Sequence, residues 1–88
     1  MFTITFNSKT SAYACNEQEG NYLFISYQES YINDLLKHRG YVYTNDIYEL
    51  FGVEWNPEWE NLVYTDKNKP IKFKIREKLE DGFVIDID

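Results

Sequence analysis

Eighty-eight residues with a formal net charge of −6 make one domain, too short to bury more than about 60–65 % of its unfolded surface. The acidic balance argues against direct nucleic-acid binding, which needs Lys and Arg to neutralise phosphates. One cysteine, Cys15, excludes an internal disulfide, and no apolar run approaches the roughly 20 residues of a membrane helix. The N-terminus "MFTITFNSKT" lacks the basic start and apolar stretch of a secretion signal. These features lead us to expect a soluble protein of a reducing cytoplasm. Eight Tyr, six Phe and two Trp supply a core rich in large rings.

In chain order, "FTITF" alternates with period two and predicts a strand with Phe2, Ile4 and Phe6 on one face. Residues 7–21 are polar and interrupted, and read as a loop or weak strand. "YLFISY", residues 22–27, is β-branched and aromatic, and reads as a strand. "QESYINDLLKHRG" predicts a helix over 28–39, with Tyr31, Ile32, Leu35 and Leu36 on its apolar face and Gly40 at its end. "YVYT" is a short extended step. Thr44 or Asn45 then caps a second helix over 45–51, closed by Gly52, with Ile47, Tyr48, Leu50 and Phe51 inward and Asp46 and Glu49 outward. "NPEWE" suggests one further capped turn, with Asn56 as the cap and Pro57 at the first helical position. "LVYT", "IKFKI" and "FVIDI" predict three strands in a meander. The fold expected is α+β: a mainly antiparallel sheet of four to five strands with two short helices packed on one face.

Charge is distributed unevenly along this framework. Residues 40–66 hold six carboxylates (Asp46, Glu49, Glu54, Glu58, Glu60 and Asp66), seven aromatic side chains and no Lys or Arg. Between Lys67 and Lys78, six cations face Glu77 alone, a surplus of five. Two uses fit the acidic stretch. Its rings can fill the core while its carboxylates keep a small domain in solution. Alternatively, its carboxylates beside Trp55 and Trp59 form a partner-binding surface, because aromatic anchors ringed by charge suit protein interfaces. The cationic strand likewise reads either as a contact surface or as a solvated face that discourages edge aggregation, with Asp86 taking up part of its charge.

Catalytic signals are sparse. His38 is the only histidine, so one Cys and one His cannot make a zinc site. "DKNKP" lacks the ligand series of a calcium loop, and there is no phosphate-cradling glycine loop. A Cys15–His38 nucleophile pair has no local support. The expectation is a chain without enzymatic activity, cofactor or metal.

"RGYVYTNDIYELFGV", residues 39–53, followed by a short sheet and the acidic end "DGFVIDID", resembles a signature of small bacteriophage and mobile-element proteins. The likeness covers roughly residues 30–88 and departs in "NPEWE" and in the lysine-rich strand. It implies a phage-like origin, which an Asn-, Lys-, Tyr- and Ile-rich vocabulary typical of AT-rich genomes accompanies. Small acidic phage proteins commonly fall into two groups: some, anti-CRISPR proteins among them, block host defence or host enzymes, and others are minor virion or packaging components. The role of the family that the chain resembles is mostly unassigned; the acidic stretch matches the first group better and leads us to expect an inhibitor that acts in the host cytoplasm as a monomer or dimer. It would bind a basic, nucleic-acid-handling protein through Asp46, Glu49, Glu54, Trp55, Glu58, Trp59, Glu60 and Asp66. The alternative is a minor virion or packaging component acting as a homo-oligomer.

Overall fold

Alternation in "FTITF" has the expected consequence: Phe2, Ile4 and Phe6 of β1 (Phe2–Phe6) are all buried in the computed structural model, which describes residues 2–54 and 62–88. β1 lies antiparallel to β5 (Phe83–Ile87), with Ile4 opposite Ile85. β4 (Phe73–Lys78) pairs with the other side of β5, also antiparallel, giving the order β1-β5-β4. Phe83, Ile85 and Ile87 point into the core, while Val84 and Asp86 share the outer face.

The remaining elements are α1 (Gln18–Arg39), β2 (Val42–Tyr43), α2 (Thr44–Phe51) and β3 (Val63–Tyr64). β2 and β3 form a separate antiparallel pair. The α+β class is therefore present, with the described strands divided between two sheets. The expected meander is corrected: β4 and β5 are neighbours, but β3 pairs with β2. Thr44 draws β3 there. Its backbone N–H donates to the Leu62 carbonyl at 2.9 Å, and its buried hydroxyl accepts the Leu62 N–H at 3.0 Å. The capped turn expected at Asn56 and Pro57 lies outside the described residues.

α1 is longer than expected and absorbs residues 22–27, which read as a strand in the sequence. Asn21, Ile25, Ile32 and Leu36 form its buried line, in register with a 3.6-residue period. The rings of "YLFISY" obscured that period, because Tyr22, Leu23 and Tyr27 face solvent. Tyr31 is likewise corrected from the core face to the exposed side. Gly40 ends α1 at φ 87°, the left-handed conformation that favours glycine, and its N–H donates to Leu36 O at 2.8 Å.

Side chains from both helices meet the three-stranded sheet in one cluster. Ile25, Ile32 and Leu36 of α1 and Ile47, Tyr48 and Phe51 of α2 pack with Phe2, Ile4, Phe6, Phe73, Phe83, Ile85 and Ile87. Phe6 stacks on Phe24 with centroids 5.1 Å apart, and Phe51 meets Phe73 at 5.3 Å. Each buried ring or branched chain contributes roughly 1.5–3 kcal/mol of transfer free energy, so this shared core fixes where the helices expose their other faces.

Candidate binding surface

α2 sets the geometry of the acidic stretch. Thr44, Ile47, Tyr48 and Phe51 are buried and Leu50 packs half-buried against the core, which leaves Glu49 on the outside of the same helix. Gly52, at φ 64°, closes the helix and turns the chain so that Glu54 emerges exposed two residues later. Two adjoining depressions share Tyr48 and Val53 as walls. Glu49 borders one with Asn45, and Glu54 borders the other, of about 310 Å³, beside Thr3, Thr5, Lys9 and Thr10. Neither carboxylate has a hydrogen-bond or ion-pair partner among the described residues. Each carboxylate borders a depression walled by Tyr48 and Val53, and Lys9 lines the one beside Glu54.

The hydroxyl of Tyr48 is buried there without a hydrogen-bond partner among the described residues, and burial pushes its pKa upward. An unpaired buried hydroxyl costs about 1–3 kcal/mol. The ring is held by the core, where it lies 5.6 Å from Phe2.

Asp46 has a different task. One of its oxygens accepts the Tyr43 N–H at 2.8 Å and the Arg39 guanidinium at 2.6 Å. It therefore holds the start of α2 and ties it to the end of α1, a role the sequence assigns to Thr44 or Asn45. Thr44 cannot cap, because its hydroxyl is engaged with Leu62. Arg39 also lies 4.3 Å above the Tyr41 ring.

Asp66 is apart from Glu49 and Glu54. It shapes the turn before β4, where its side chain accepts the Asn68 N–H at 2.9 Å. It borders a cavity of about 350 Å³ with Leu62, Tyr64, Lys69, Ile71 and Asp88. The Tyr64 hydroxyl is buried without a hydrogen-bond partner among the described residues, and its pKa is raised by burial and then by the nearby Asp88 charge. Trp55, Glu58, Trp59 and Glu60 lie outside the described residues.

The cationic strand is partly neutralised as the sequence suggests. Asp86 sits opposite Lys74, accepts from Arg76 Nε at 2.9 Å and from Thr3 Oγ1 at 2.8 Å. The Thr3 hydrogen bond, then Arg76, holds the Asp86 carboxyl below its usual range. Lys72, Lys74 and Lys78 stay exposed on an edge strand.

Cys15 and His38 cannot act together. Cys15 precedes α1 and donates from Sγ to Glu17 O, while His38 lies in the last turn with Nδ1 2.7 Å from Asp34 O. Helix length alone separates them by roughly 30 Å. Among the described residues, no group of three or more His, Cys, Asp or Glu is arranged to hold a metal. No described helix is long and apolar enough to cross a membrane.

Against known proteins, a family model described as a family of unknown function (DUF6353) matches residues 3–86. No curated protein and no solved structure matches the chain.

Proposed function

The chain belongs to DUF6353, a family of unknown function, and from that premise we propose that it is a non-catalytic binding protein. In this proposal the acidic surface of the Glu49–Glu54 region docks on a basic surface of a larger protein. The observation that carries the proposal is a pair of exposed carboxylates beside Tyr48 and Val53. Glu49 and Glu54 are exposed, lack partners among the described residues, and border two adjoining depressions that share Tyr48 and Val53 as walls. Charges left unpaired beside apolar surface speed encounter with an oppositely charged partner and select among partners.

The partner class we favour is a nucleic-acid-handling enzyme of host defence, whose basic groove is built for phosphate and accepts carboxylates in its place. The phage-like signature over residues 39–53 supports an inhibitor of this kind, carried by a phage or mobile element and acting in the host cytoplasm. A minor virion or packaging component is the second reading, favoured by the exposed aromatic face of α1.

Capture from a host lysate tests the proposal, with wild-type protein and the Glu49→Gln/Glu54→Gln variant as parallel baits. The expected result is a nucleic-acid-binding protein retained by the wild type and lost by the variant. Equal retention of every captured protein by both baits would remove this surface from consideration.

A further inference from the structure

We propose that two copies of this chain pair through the exposed side of α1, antiparallel, about a two-fold axis near Tyr27. This extends beyond the acidic surface and uses a different side of the molecule.

The inference starts from helical periodicity. Asn21, Ile25, Ile32 and Leu36 define the buried side of α1. On the opposite side, Leu23, Tyr27 and Tyr31 recur at i, i+4 and i+8, so they form one ridge. They are 47 %, 70 % and 54 % exposed, and Tyr27 at the centre is the most exposed of the three. Apolar residues scattered singly over a surface need no explanation, but three adjoining ones on a single ridge form a patch.

Charge identifies the occupant. Glu19 lies in the first turn of α1 and Lys37 in the last. Eighteen residues separate them, five full turns, so they project from the same side about 27 Å apart. Their midpoint is residue 28, and the midpoint of the ridge is Tyr27. A second α1 laid antiparallel therefore brings Lys37 to Glu19 at both ends while the tyrosines meet in the middle. A parallel copy would set like charge against like. Neither Glu19 nor Lys37 has an ion pair among the described residues. The helix dipole accounts for acids at the start and bases at the end, but not for aromatic rings on the wet side between them. An isologous contact of this kind is self-complementary by symmetry.

The ridge is small, and interfaces at the low end of the size range are weak. The expected species is a dimer with a micromolar dissociation constant. Sedimentation equilibrium over a concentration series up to about 1 mM protein tests it, with circular dichroism confirming that each variant is folded. Tyr27→Glu should abolish the dimer. Glu19→Lys or Lys37→Glu alone should weaken it about tenfold at low salt, since each change removes two symmetry-related pairs. The double exchange Glu19→Lys/Lys37→Glu should restore it to within about threefold of the wild type. A wild-type protein that stays monomeric throughout would overturn the proposal. So would a dimer indifferent to Tyr27→Glu, which would lie on another face, or a double exchange that fails to restore pairing.

Discussion

Asn33 holds the backbone of Ile71 as a neighbouring strand would: Nδ2 donates to the Ile71 carbonyl and Oδ1 accepts the Ile71 N–H, each at 2.8 Å. Glu29, one turn earlier on α1, accepts the Phe73 N–H at 2.7 Å. Lys72, between them, faces the other way and exchanges two hydrogen bonds with Asp88. α1 thus covers the outer edge of the sheet where β4 begins its pairing, which shields that end of the edge from another chain.

Asn33→Ala should lower stability by about 2 kcal/mol, because it leaves two partly buried backbone groups without partners. Urea unfolding measures this as a lower midpoint with an unchanged slope. A loss under about 0.5 kcal/mol would show that water takes over both bonds.

Asp46→Ala should cost about 1–2 kcal/mol, from the lost bond to the Tyr43 N–H and the lost Arg39 pair. Thermal unfolding reads the cost. Asp46→Asn, which keeps an acceptor for the Tyr43 N–H, should recover part of it.

Acid should weaken the sheet through Asp86. Its carboxyl is held below the ordinary value near 3.8, first by Thr3 and then by Arg76. A lowered folded pKa contributes stability that is complete above the unfolded value and disappears as pH falls through the folded one. Asp81, lowered mainly by its hydrogen bond from Ser8, acts in the same direction. The urea midpoint should therefore fall as pH drops below about 4, and Asp86→Asn should flatten that decline. An identical acid limb in the variant would assign the loss to other carboxylates.

Gly82→Ala should be severely destabilising, by about 3 kcal/mol. Gly82 is buried in the β4–β5 turn, and an added Cβ would overlap the Phe6 carbonyl oxygen at the end of β1. Calorimetry should show a large fall in melting temperature. An unchanged melting temperature would mean that the turn and β1 separate at little cost.

Local pattern made much of this fold legible. Phe2, Ile4 and Phe6 alternate, and all three are buried; Gly40 and Gly52 end their helices in the left-handed conformation. Residues 22–27 misled because three of their five apolar or aromatic side chains face water, so the period of the core line 21, 25, 32 and 36 is masked. The pairing of β3 with β2 was not legible, since it depends on Thr44 meeting Leu62 across a tertiary contact. In the acidic stretch, composition alone could not tell Asp46, which is engaged with Arg39 and Tyr43, from Glu49 and Glu54, whose carboxylates have no partner among the described residues.

The central claim is that Glu49 and Glu54 form a charged docking surface, and the salt dependence of partner affinity tests it most directly. With the captured partner in hand, calorimetric titration at low and moderate salt should show Glu49→Gln/Glu54→Gln binding about tenfold more weakly at low salt, with a shallower dependence on salt. Asp46→Asn should retain the wild-type slope. An unchanged affinity and an unchanged slope in the Glu49→Gln/Glu54→Gln variant would contradict the account and leave those carboxylates with solubility as their role.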